Sequence, residues 1–209
     1  MIQSRQHTIR LVSMDYTAVP SSDGKLHYFE LAPHLWFPET VEVEGIAPGV
    51  EIPAAMSKNG CALRAHATYL LGPMLSHYSL VSICLQAVAS RPKHEAGIIN
   101  TLTYRAVRLA EILAGIGAVA VSSEKLPQGD YPVHPLPFRQ QWGELDDELV
   151  AAAQAYARGV LSGRRGQKAV SESLGVSIAT AGRRVKAAKE ALYLFPSVGT
   201  ISDDDVPAP

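Results

Sequence analysis

From Gln167 to Leu194 the chain reads QKAVSESLGVSIATAGRRVKAAKEALYL, and this stretch restricts its own fold more than any other. Two helical patterns meet at Leu174-Gly175-Val176-Ser177. Gly175 can take a positive φ at the end of the first helix because it has no Cβ to clash. Ser177 can accept from the orphan N–H groups that begin the second. Ile178, Ala181, Val185, Ala188 and Leu192 then recur with a period of about 3.6 and form one apolar stripe. Ala179, Arg183, Lys186 and Glu190 lie opposite, with Thr180 and Arg184 on one flank and Lys189 on the other. The spacing predicts a short helix, a tight corner and a longer basic helix whose stripe turns inward.

A further helix precedes the pair. Gly143-Glu144-Leu145-Asp146-Asp147-Glu148 sets acids at a helix start, where the macrodipole favours them. Leu149, Ala152, Ala153, Tyr156 and Val160 then share one face as far as Leu161, and Gly163 stops the run. Three helices over residues 143–195 make one small bundle. Ahead of it, residues 124–142 hold Pro127, Pro132, Pro135 and Pro137, too many for a helix or a central strand, and read as a semi-rigid linker. Residues 196–209, with Asp203-Asp204-Asp205 and two prolines after them, read as a disordered acidic tail.

The bundle resembles the helix-turn-helix of DNA-binding regulators, most closely the trihelical C-terminal kind found in actinobacterial and phage proteins. Tyr156, Gly163, Arg164, Val170, Gly175-Val176-Ser177, Thr180-Ala181, Arg183 and Val185 carry the resemblance, which spans Leu145 to Leu194. Two residues depart from the pattern. Ser171 stands where alanine is usual, and Arg184 where a large apolar residue is usual. The resemblance implies that the helix over residues 177–194 enters the major groove. Ala179, Thr180 and Arg183 would meet base edges, since arginine can bridge guanine O6 and N7 and threonine can meet a thymine methyl. Ser177, Arg164, Arg165, Lys168, Arg184, Lys186 and Lys189 would hold phosphates, the contacts that set register.

Charge supports that reading. The whole chain is near neutral at −1, yet Arg158 to Lys189 holds eight basic residues against Glu172 alone. The remainder holds eleven basic and nineteen acidic residues. Such segregation is the footprint of a nucleic-acid module joined to something else.

Residues 1–123 read as that something else. Thr8 to Tyr16 and Lys25 to Leu31 suggest a strand hairpin around Ser21-Ser22-Asp23-Gly24. Pro33 and Pro38 bracket His34-Leu35-Trp36-Phe37, which reads as a loop exposing its aromatics and as a candidate pairing surface. Thr40 to Glu44 alternates like a short strand wet on one face, before Pro48, Gly49 and Pro53. Ala62 to Leu71 and Tyr78 to Ala89 are the clearest strands, and Gly72-Pro73 between them suits a wide hairpin. Asn100 to Ile116 has helical spacing, and Ala118 to Val121 suits a last short strand. The fold class expected is α+β: an N-terminal antiparallel sheet with one or two helices, then the three-helix bundle.

Searches for chemistry return little. Gln167 stands where a phosphate loop needs glycine before Lys168. His94-Glu95 opens a zinc-protease motif, but Ile98 replaces its second histidine. Cys61 and Cys84 lack metal-ligand spacing, and His66 and His77 sit on the two arms of the wide hairpin as a chance pair. The reading is therefore no enzyme, no catalytic residue, no metal and no cofactor. No apolar run reaches a membrane span and the N-terminus lacks a signal-peptide core, so a cytoplasmic protein is expected. The partners expected are double-stranded DNA and a second copy of the chain, with any small-molecule effector unknown, in a transcriptional regulator. The alternatives are a recombination or partition accessory factor, a basic bundle that docks an acidic protein, and a small enzyme in the first part.

Overall fold

Strand alternation in the first half of the chain resolves into two sheets. The structure, a computed structural model, describes residues 11–50, 61–72, 75, 77–88, 109–126 and 132–194. The expected strand start at Thr8, the helix start at Asn100 and the acidic tail lie outside the described residues. The first sheet holds β1 (Val12–Ala18), β4 (Thr40–Val50), β5 (Cys61–Leu71) and β6 (Tyr78–Val88), antiparallel in the order β1-β4-β5-β6. The second holds β2 (Tyr28–Ala32), β3 (Leu35–Pro38) and two short strands, β7 (Val121–Ser122) and β8 (Val133–His134), in the order β7-β3-β2-β8. Its pairs are antiparallel except for β2 with β8.

Period-two patterning decides which face of the first sheet is wet. Val41, Val43, Ala65, Ala67, Tyr69 and Leu71 are buried. Glu42, Glu44, Arg64 and His66 point the other way, where Arg64 meets Glu44 at 3.1 Å and His66 meets Glu42 at 3.7 Å. The wide hairpin forms between β5 and β6, but His66 lies opposite Cys84 rather than His77.

Three local expectations are corrected. β1 does not pair with β2. It lies on β4, with Asp15 opposite Glu44 and Thr17 opposite Glu42. The reason is that β2 has both edges occupied: it turns through Pro33-His34, with His34 at φ 60, to pair with β3, and β8 takes the other side. The stretch around Trp36 is strand, not an exposed loop. Trp36 is only 3% exposed, and its indole N–H donates to Ser123 Oγ at 3.0 Å, so it cannot be a pairing surface. Beyond it, Glu39 joins the sheets, its N–H donating to His27 O and its carbonyl accepting from Leu71 N. Finally, a 3-10 turn at Ile116–Val119 takes the first half of the span expected as a last strand, leaving only β7.

Residues 132–142 are tied to the second sheet at several points. Pro132 O accepts from Tyr28 N, and the His134 ring stacks on Phe29 with centroids 4.3 Å apart. The buried Glu30 carboxylate accepts from Leu136 N at 3.2 Å and from His34 N at 3.1 Å, with Arg139 Nη1 3.5 Å away. Buried N–H groups need such acceptors, and a buried carboxylate needs such donors.

Helix α1 (Leu109–Ala114) docks on β1, where the Tyr16 hydroxyl donates to Ile112 O at 2.9 Å. Helices α2 (Asp147–Leu161), α3 (Gly166–Leu174) and α4 (Ile178–Glu190) form the expected bundle. Asp146 caps α2 by accepting from Glu148 N and Leu149 N. The close crossing of α2 and α3 depends on Gly159, where an added Cβ would come within 2.3 Å of Ala169 Cβ. Trp142 and Tyr193 close the bundle edge to face at 5.6 Å.

The bundle and the sheets share one apolar core running from Leu31, Phe37 and Val43 through Ile112 and Ile116 to Leu161, Val170 and Val185. Gln154 Nε2 donates to Pro33 O at 2.8 Å, and Gly117 N donates to Ser162 Oγ at 3.1 Å, so polar ties also cross that contact. Among the described residues no helix is long and apolar enough to cross a membrane.

Candidate nucleic-acid interface

The corner between α3 and α4 is built by the residues that the sequence offers for it. Gly175 adopts φ 64 and ψ 28, the left-handed conformation that reverses a chain at a helix C-terminus. Ser177 then takes extended backbone and its Oγ accepts from Thr180 N at 3.1 Å, a cap worth about 1 kcal/mol. Ser171, the residue that departs from the usual alanine, has a role here. Its hydroxyl donates to Val176 O at 2.6 Å while its carbonyl accepts from Val176 N at 3.1 Å. Val176 is thus clamped between two bonds from one residue, and the corner is held from the α3 side.

Helix α4 buries Ala181, Val185 and Ala188 against the rest of the bundle. Ala179, Arg183, Lys186 and Lys189 are exposed, and Thr180 is half-buried at the rim. Ser177, Thr180 and Arg183 form a short chain: the Ser177 hydroxyl donates to Thr180 Oγ1 at 3.0 Å, and Arg183 Nη2 donates to the same oxygen at 3.2 Å. That chain holds the Arg183 guanidinium beside the first turn of the helix, with most of its donors unspent.

The cations differ in what already holds them. Arg164 pairs with Glu172, and Lys168 reaches the same carboxylate at 3.9 Å. Lys186 lies 3.9 Å from Glu190. Lys189 sits above the Tyr156 ring, 5.1 Å from its centroid. Arg165 and Arg183 pair with no carboxylate among the described residues. Arg184 bonds Glu148 of α2 at 2.6 Å and is the least exposed of these paired cations. Its side chain spans the gap between the first and third helices, where the usual apolar residue would pack.

Ile178 is a second correction. The stripe places it inward, yet it is 60% exposed. It occupies the first position of α4, beyond the end of the bundle that covers Ala181 and Val185. Periodicity gives the direction of a side chain but not the extent of the surface it would meet. Exposed Ile178 adds an apolar side chain beside Ala179 and Thr180 at the N-terminal end of α4.

Among the described residues no group of three His, Cys, Asp or Glu side chains is placed to hold a metal ion. Comparison with known protein families, with curated proteins and with solved structures finds no match to this chain.

Proposed function

We propose that this protein binds double-stranded DNA in a sequence-specific manner and regulates transcription, reading the major groove with α4. The observation that carries the reading is the corner itself. A left-handed Gly175 and a Ser177 cap launch a helix whose exposed first turns bear Ile178, Ala179, Thr180 and Arg183. Arg183 and Thr180 supply donors and a methyl group suited to base edges. Arg165, Lys168, Lys186 and Arg164 flank that helix and suit phosphates. The ion pairs of Arg164, Lys168 and Lys186 lie at the surface, where a phosphate can compete with the carboxylate. One small bundle grips little DNA. The reading therefore includes a homodimer on two half-sites about one helical turn, roughly 34 Å, apart.

Fluorescence anisotropy on genomic and random duplexes tests the proposal. With four or five phosphates neutralised, log K falls against log salt with a slope of roughly −4. Some genomic duplexes compete far better than random ones. A slope near zero, or equal affinity for all sequences, overturns the reading. Binding to an acidic protein instead of DNA would move it to the docking-module class.

A further inference from the structure

We propose that the free edge of β6 is the surface through which two copies of this chain pair, strand against strand and antiparallel, into a two-fold dimer. Among the described residues, β6 is the terminal strand of the first sheet and is hydrogen-bonded on one side only, to β5. A strand edge presents a row of unpaired N–H and C=O groups. Proteins blunt such rows with charge, proline, brevity or cover. Tyr78–Val88 is eleven residues long, YSLVSICLQAV, with no charged residue and no proline.

Its rim is apolar as well. Leu80 is 36% exposed and Val81 61%. The register explains why Val81 stands out: Thr68 lies opposite Ser82 and Tyr69 opposite Leu80, so Val81 is the extra residue of a bulge with no partner on β5. On the wet face β6 shows Ser79, Ser82, Cys84 and Gln86, all exposed and all neutral.

The occupant follows from what the remaining edges offer. β1, at the far side of the sheet, is seven residues long and carries the charge of Asp15. β7 and β8 are two residues each. Among the described strands, only β6 is a long, neutral edge, and its match in length, charge and apolar rim is itself. Antiparallel self-pairing is isologous and closes at two copies, whereas β6 on β1 would propagate without end. It opposes no like charges across the new strand pair. The two sheets become one, and each copy carries its own α4. Use of that dimer on paired half-sites rests on the proposed function, but the pairing itself does not.

Sedimentation equilibrium on the full chain without DNA tests the inference. The wild type is expected at twice its 22.4 kDa mass at micromolar concentration. Val81→Lys is expected to raise the dimer dissociation constant by at least about tenfold and, at concentrations low enough for both chains to be monomeric, to leave thermal unfolding unchanged. A monomeric wild type would leave the edge to an extended segment of another protein and overturn the proposal. So would a Val81→Lys chain as dimeric as the wild type. Should that variant fail to fold, exposed Cys84 gives a second readout. In a Cys61→Ser chain, a short bis-maleimide is expected to join two copies through Cys84, and a chain that stays unlinked overturns the proposal. A dimer that binds no DNA leaves this inference standing and defeats the proposed function. A monomer that selects one duplex does the reverse.

Discussion

Arg184 on α4 and Glu148 on α2 are joined at 2.6 Å, a direct tie between the first and last helices of the bundle. Arg183, its neighbour in sequence, hydrogen-bonds within its own helix, to Thr180 Oγ1, and among the described residues pairs with no carboxylate. Two adjacent arginines thus have different work, because successive helical positions are turned about 100° apart. Arg184→Ala is expected to lower stability by less than about 1 kcal/mol, since the pair is partly exposed. Arg183→Ala is expected to leave stability within about 0.5 kcal/mol of wild type. On the preferred duplex, Arg183→Ala loses about 1–3 kcal/mol of binding and relaxes the choice at one base pair. Urea unfolding and anisotropy on the same two variants check the contrast.

Two glycines in the same motif are expected to answer alanine with opposite signs. Gly175 holds φ 64, and nothing lies within 4 Å of an added Cβ, so the penalty for Gly175→Ala is conformational alone, about 1 kcal/mol. Gly182 sits inside α4 with ordinary helical backbone. Its added Cβ meets nothing closer than Gln167 Oε1 at 3.6 Å. Gly182→Ala is therefore expected to stabilise by about 0.5–1 kcal/mol. Thermal melts of both variants read the sign.

Tyr69 on β5 is 3% exposed, and its hydroxyl has no hydrogen-bond partner among the described residues. Burial, helped by nearby Tyr16, pushes its pKa up to about 12. Burial raises Tyr78 as well. A phenol whose folded pKa lies above its unfolded one favours the fold fully below the unfolded value, near 10. That contribution is lost as pH rises from about 10 toward 12, by up to about 1.4 kcal/mol per pH unit for each tyrosine. Tyr69→Phe is expected to stabilise by about 1 kcal/mol at neutral pH and to flatten the alkaline fall. Urea midpoints between pH 7 and 11 measure both.

Glu30 fastens the segment that leads into the bundle. Its carboxylate serves Leu136 N from that segment and His34 N from the turn between β2 and β3. Glu30→Ala strips both donors of their acceptor and is expected to cost more than about 2 kcal/mol. Glu30→Gln keeps one acceptor oxygen and is expected to cost less. If urea unfolding gave the two variants equal losses, Arg139 would be the partner that matters and the backbone donors would not.

Much of the bundle was legible because its signals are local. A glycine at a helix end, a serine before the next helix and an apolar stripe each act within one or two turns. Gly175, Ser177, Ala181, Val185 and Ala188 take the conformation or the burial their types and spacing imply. Asp146 caps α2 for the same reason. The strands β5 and β6 were also readable, since alternation reports which face is buried, but β4 runs on past the expected Glu44, through Pro48 and Gly49, to Val50.

Partner choice was not. Nothing within β1 says that it pairs with β4 rather than β2, because backbone hydrogen bonds are alike in every strand. Trp36 is buried beside β7, with Val121 opposite it and Ser123 taking its indole N–H, and no window around Trp36 contains those residues. Ile178 is exposed because the bundle ends before it, and Arg184 is claimed by Glu148, thirty-six residues earlier. Forces that act across a few residues fix the bundle helices, their caps and the alternating faces of β5 and β6, so those can be read from the chain alone. Which strand meets which, how far the core extends and which cations find a carboxylate depend on groups far apart in the chain, and they follow from the folded arrangement.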